Sequence, residues 1–432
     1  HTTRTHSLFL DPEASKEACD IYVCEDAHVW SVDMMNPEAT GVYLQEIHQR
    51  YHDRFADYFG GTLKGFFYDE PKASSTRPWT TAFLDRFAAM KGYCLREHLV
   101  PMLTDFIMEG SCFNEQLRPE KIHQVEADYH DVWTSLVAEG FYREIQNWCR
   151  EHDVIATGHP MGDNNLEVSE LCGGAGIYFK NMAFSGMPGV DVIWSMIEVG
   201  RFCDSSRLAG SRAAVCGKPQ AMSETFAVFG HGLHLDQMRY VMENQIIRGV
   251  SKFFNKLTNY NREKSFHFHP PDLSDYNPLI NQYGRLLHDR ITTLNRVMRG
   301  GRPAETVGLY IPLQNYYRHD EAMARQLAAL SKKLAYNQIE FDLLCDQDVM
   351  NLRTSGGTIV GVNGREYLSI LVPANARMNG NVVDAFKALA KDANGRVVCP
   401  GNPGTAVPPA TLTMDLETYI DQCRGENSFF EL

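Results

Sequence analysis

Short apolar runs that close on chemically capable residues recur along this chain, with amphipathic stretches between them. That alternation commits a chain to repeated β-α units, and so to parallel sheet covered by helices. IYVCED (21–26) predicts a strand, and 37–59 predicts a helix with Asn36 as its cap and Pro37 in its first turn. GTLKGFFYDEP (61–71) predicts a strand that ends in two acids and a proline. A helical region follows from about Thr80 to Arg150, broken near Gly110 to Pro119. DVIATGHP (153–160), GVDVIWS (189–195), KPQAMSETFAVFG (218–230) and GVSKFFNK (249–256) continue the strands. The helix at 234–249 lies between the last two and carries Leu235, Met238, Val241, Met242 and Ile246 on one face.

Each of these strands holds its polar side chains at its C-terminal end: Tyr68, Asp69 and Glu70, then His159, Trp194 and Glu224. Barrels and open doubly wound sheets both build sites there, so the pattern argues for α/β chemistry more strongly than for closure. RGGRPA (299–304) reads as a linker, dividing the chain into 1–300 and 301–432. Beyond it come strands at 305–312, 339–345, 367–373 and 395–401, with helices at 320–338 and from Val382 to Asn394. These predict a smaller α/β domain of flavodoxin-like or amidotransferase-like type, read as structural. It has no GxGxxG or GxxxxGK[ST], so no nucleotide cofactor is expected.

Composition removes several classes. A net charge of −13 with scattered Lys and Arg excludes a nucleic-acid surface. No stretch of 18 apolar residues exists, so no membrane span is expected. Eleven cysteines without CxxC spacing predict buried, reduced thiols. Because the chain begins with His1, an upstream N-terminus is expected, and localisation stays open between cytoplasmic and periplasmic or secreted. Aromatic residues at 11% suit either a large core or the stacking of flat ligands such as sugar rings.

Glycosidic cleavage needs two carboxyl groups flanking the scissile bond, one to protonate the leaving oxygen and one to attack or to activate water. Glu70 and Glu224 each emerge from an apolar strand beside an aromatic residue. Alternation places Asp69 and Glu70 on opposite faces, which favours Glu70. Phe66, Phe67 and Tyr68 give Glu70 the apolar setting of a proton donor, while Ser223 and Thr225 make a polar setting that keeps Glu224 ionised. Tyr68, Asp69, His159, Asp163, Asn164, Trp194 and His231 are the candidate substrate-binding residues. For His159, Asp163 and Asn164 the competing reading is turn chemistry around Gly158 and Gly162. The pairs His231/His234 and His267/His269 lack the further ligands of a zinc site, so no metal is expected. No GxSxG motif supports a serine nucleophile.

In combination, VDMMNPEAT (32–40), GFFYDEP (65–71), ATGHPMGDNN (156–165) and 223–256 resemble the large bacterial glycoside hydrolases related to alpha-L-rhamnosidases and beta-galactosidase-type barrels. The resemblance runs from about Val32 to Pro403. It implies a (β/α)8 barrel followed by a flavodoxin-like domain and a carbohydrate substrate. Glu70 would be the acid/base after the fourth strand, and Glu224 the nucleophile after the seventh. IYVCED would be the third strand, with the first two missing from this chain. Beta-galactosidase-type relatives retain configuration and often form homo-oligomers through the second domain, a role to which Tyr310–Tyr317 would lend aromatic surface. Rhamnosidase-type relatives invert and use calcium. The expectation is a retaining glycosidase. The alternatives are an inverting rhamnosidase-like hydrolase and a non-catalytic sugar-binding protein on a degenerate barrel.

Overall fold

The computed structural model describes residues 3–10, 21–28, 32–72, 77–99, 102, 120–167, 175–256, 270–301, 306–392, 396–401 and 412–426. The expected helix break at 110–119, the second half of the linker (302–304) and the His267/His269 pair lie outside the described residues.

The chain opens with an antiparallel hairpin, β1 (Thr3–Leu10) against β2 (Ile21–His28). This corrects the reading of IYVCED as a barrel strand: β2 pairs with β1 alone among the described strands, and in the opposite sense from a β-α repeat. The helical stretch after Asn36 follows, its first turn capped by the Asn36 side chain on the Glu38 N–H.

Five parallel strands then pair in chain order: β3 (Gly65–Asp69), β4 (Ile155–His159), β5 (Met187–Val192), β6 (Met222–Thr225) and β7 (Lys252–Asn255). The sheet curls until the Phe67 ring on its first strand and the Phe254 ring on its last lie 5.5 Å apart. It is a half-barrel; a closed eight-stranded barrel is not present among the described residues. Helices clothe its convex side. Phe66 stacks among His48, Tyr51, Phe59 and Trp148, and the Tyr68 hydroxyl donates to Ser185 Oγ at 2.8 Å. Close strand contact depends on Gly158: at φ 136°, a Cβ there would sit 2.0 Å from the Tyr68 carbonyl oxygen.

A 23-residue helix, Pro278–Gly300, runs into the first two residues of the expected linker, Arg299 and Gly300. A second parallel sheet follows, built from β8 (Val307–Ile311), β9 (Phe341–Cys345), β13 (Ser369–Leu371), β14 (Val397–Pro400) and β15 (Leu412–Met414), in the order β9-β8-β13-β14-β15. Between β9 and β13 the chain makes a small antiparallel sheet of β10 (Arg353–Ser355), β11 (Thr358–Val360) and β12 (Glu366–Tyr367).

One continuous apolar core joins the two large sheets. The helix Ser205–Val215 packs against both β5 and β9, and it is buried although its sequence is polar. Its charges are matched from the second sheet. Arg212 grips Asp348 with two bonds of 3.0 and 2.6 Å, and Arg207 donates to Glu340 at 3.2 Å and to the Phe341 carbonyl at 2.8 Å. Tyr310, Tyr316 and Tyr317 are buried within the chain, so the aromatic stretch expected to serve association is spent on the core.

Candidate active site

The chemically capable side chains gather at the C-terminal ends of β3 to β6. His159, the last residue of β4, is 1% exposed and lies at the centre of the group. Its Nε2 is 3.2 Å from Glu224 Oε2 and 3.4 Å from Asp69 Oδ1, and its Nδ1 is 3.5 Å from Asp163 Oδ2. Burial alone would lower its pKa, but the surrounding carboxylates push it up to about 12, which favours an imidazolium whose Nε2–H donates to Glu224 while Nδ1 faces Asp163 at 3.5 Å. The Asp163 carboxylate also accepts the Asp191 N–H at 2.8 Å, which ties β5 to the loop after β4.

Strand register explains the grouping. Asp69 is opposite His159, and Asp191 is opposite Glu224, so each pair leaves the sheet on one face. Ser223 and Thr225 point to the other face, where their hydroxyls lie 2.6 Å apart and Gln245 reaches Thr225 at 3.4 Å. The polar surroundings of Glu224 therefore come from His159 and not from its chain neighbours. Alternation does not separate Glu70 from the site either. Its φ of 42° turns the chain out of the strand, and its carboxyl feels the charges of His159, Asp69, Asp163 and Glu224.

The carboxyl groups differ in electrostatic setting. Partial burial raises the Glu70 pKa, as do the charges on Asp69, Asp163 and Glu224. The His159 hydrogen bond lowers that of Asp69, while burial raises that of Asp163 against the pull of His159. Asp191 is shifted most among them. Burial, with Asp163, Glu224 and Glu70 nearby, pushes it up to about 8, so it is protonated at neutral pH.

Asp69, His159 and Glu224 are the one set among the described residues whose donor atoms, all within 4.8 Å, could share a cation. The same atoms also form a hydrogen-bonded group, with His159 Nε2 3.2 Å from Glu224 and 3.4 Å from Asp69. His234, half of the HxxH pair, instead caps the helix Leu235–Ile246.

Not every sequence candidate joins this group. Tyr68 faces the helical layer. His159 and Asp163 are buried beneath the carboxylates, where they orient them. Trp194 stands 66% exposed beyond β5, its N–H bonded to the Ala227 carbonyl beyond β6. His231 lies on the exposed loop after β6, and Asn164 is half-buried beside Asp163. Asp191 was not singled out by sequence reasoning, yet a lone acid between Val190 and Val192 in a strand interior is a detectable signal.

No family model matches the sequence, and no curated protein matches it. The fold is similar to that of a rhamnosidase from Novosphingobium sp. PP1Y, with a TM-score of 0.64 and 15% identity over 100% of this chain and 37% of that one. It is also similar to a beta-galactosidase from Rahnella sp. R3, with a TM-score of 0.55 and 14% identity over 88% of this chain and 56% of the other. A third likeness is to an exo-carrageenase from Bacteroides ovatus, with a TM-score of 0.57 and 12% identity over 84% and 54%. The chain thus spans between 37% and 56% of the length of these three proteins, and what it shares with them is the fold.

Proposed function

We propose that this chain is the catalytic part of a glycoside hydrolase that removes a terminal sugar from an oligosaccharide or glycan. The observation that carries the reading is the convergence of Glu224 and the Asp69–Glu70 pair on one imidazolium at the C-terminal end of a curled parallel sheet. The rhamnosidase and beta-galactosidase whose folds it shares lend it chemical context.

In this reading Glu70, whose pKa is raised by partial burial and by its acidic neighbours, protonates the leaving oxygen. Glu224, oriented by the His159 N–H, attacks the anomeric carbon, and Glu70 then activates the water that releases the sugar. Glu224, its Oε2 held 3.2 Å from the His159 Nε2, is positioned as the nucleophile, and retention follows from that role. Trp194, Asn164 and His231 would meet the sugar from the surrounding loops.

The domain reading is 1–300 for the catalytic unit and 301–432 for a flavodoxin-like unit. Relabelled from its own first strand, the order β9-β8-β13-β14-β15 becomes 2-1-3-4-5, which supports that assignment.

The test is a panel of nitrophenyl glycosides with wild type and Glu224→Gln, the product anomer being followed by NMR. Turnover that Glu224→Gln abolishes, with the retained anomer formed first, is expected. An inverted first product would replace retention with a water-mediated mechanism. Sugar binding without turnover would make the chain a lectin-like module.

A further inference from the structure

We propose that Asp191 is the floor of the sugar subsite, where its carboxyl group takes a hydroxyl of the bound sugar beside Glu224. The inference rests on the glycosidase reading and names a specificity-determining residue for it. Asp191 and Glu224 are register partners on adjacent parallel strands, so their side chains rise from the same face about one strand spacing apart. Asp191 is 5% exposed, and its Oδ1 is buried with no hydrogen-bond partner. A buried carboxyl oxygen is rarely left unsatisfied, and one that faces the same side as Glu224 has a place for a ligand, water or ion to complete it.

The surrounding charges define that ligand. Asp69, Asp163 and Glu224 all lie against the His159 ring, and Asp191 alone of the carboxyls registered across β3 to β6 lacks such a contact. An anion entering here would face carboxylates, and a cation would face the imidazolium. A neutral group that both donates and accepts suits the position, which describes a sugar hydroxyl. Asp191 matches it, because burial and the neighbouring acids keep its own proton in place at neutral pH. The residue is also held rigidly, its N–H on Asp163 at 2.8 Å and Asp163 against His159.

The experiment is a double-mutant cycle between protein and substrate. The nitrophenyl glycoside that wild type turns over best is compared with its monodeoxy analogues, using wild type, Asp191→Ala and Asp191→Asn. Deoxygenation at one position, which leaves the buried carboxyl unpaired again, should cost wild type ~10–100-fold in kcat/KM. Asp191→Ala should show a similar loss on the parent sugar and almost none on removal of that hydroxyl. Asp191→Asn, which keeps the shape, should fall between and reports on folding by its circular dichroism melt. Unchanged deoxy penalties in Asp191→Ala would overturn the inference while leaving the hydrolase reading intact. If wild type turns over no glycoside, calorimetric binding of the monosaccharides and their deoxy forms reads the same cycle. Absence of binding as well would overturn both.

Discussion

Asp191→Asn should stabilise the protein, and only above a defined pH. The native chain holds a proton on this carboxyl up to about 8, whereas the unfolded chain releases it near 3.8. Between those values the folded state binds more protons than the unfolded one, so the side chain subtracts stability as pH rises through the window. At ~1.4 kcal/mol for each of the roughly four pH units spanned, the loss reaches about 5–6 kcal/mol as an upper limit and is constant above pH 8. Asparagine has the same shape, carries no proton to lose and needs no desolvation of a charge.

Paired urea and thermal melts of wild type and Asp191→Asn at pH 4.5, 6.5 and 8.5 would measure this. Other titrating groups, His159 among them, are common to both proteins and cancel in the difference. At pH 4.5, less than one unit above the unfolded value, the gap should be no more than about 1 kcal/mol. By pH 8.5 the variant should lead by ~2 kcal/mol or more, a Tm gap of at least about 2 °C for a chain of 432 residues. A pH-independent gap, or a variant that is weaker at pH 8.5, would show that Asp191 ionises freely in the folded state.

Three further substitutions test neighbouring steps. Glu70→Ala should slow hydrolysis by ~10²–10⁴-fold on poor leaving groups yet spare nitrophenyl substrates, and azide should restore the rate through a glycosyl azide seen by mass spectrometry; no azide product would remove Glu70 from the acid/base role. His159→Ala strands the Asp163 carboxylate in the interior and frees Glu224, so the urea midpoint should drop by the equivalent of about 3–5 kcal/mol, and an unchanged midpoint would refute the imidazolium at the centre of the site. Gly158→Ala drives a Cβ to 2.0 Å from the Tyr68 carbonyl in a φ region closed to alanine, so the variant should melt well below wild type or fail to fold; a wild-type melt would mean that β3 and β4 tolerate separation.

The half-barrel strands are legible in the sequence because each is an apolar run with an abrupt polar ending, and β3, β4, β5, β6 and β7 all lie where such runs occur. The hairpin was not, since IYVCED carries apolar pattern but nothing that names its partner or its sense. The helix Ser205–Val215 gave no periodic signal because its buried face is held by arginines whose partners, Glu340 and Asp348, are more than 130 residues away. Local pattern cannot report a pairing of that range. The site divides in the same way. Glu70, His159 and Glu224 are visible as strand endings, whereas the dependence of Glu224 on His159 instead of on Ser223 and Thr225 follows from which face each residue takes.

Backbone strain adds an independent reason to regard these strand endings as a preorganised site. Nine non-glycine residues among those described have left-handed φ values, and five of them are Glu70, Trp194, Ser195, Phe226 and Val228. All five lie at or just beyond the C-terminal ends of β3, β5 and β6. Such conformations cost ~1–3 kcal/mol each and persist only where the surroundings over-determine them. Here those surroundings include the Trp194 N–H on the Ala227 carbonyl and the Phe226 N–H on the Val192 carbonyl, bonds that stitch the loop after β5 to the loop after β6. Release of either loop would relieve strain and let Glu224 drift from His159. Strain at the strand ends is thus coupled to the placement of Glu224 against His159, and on the proposed reading that coupling is what keeps the nucleophile aligned.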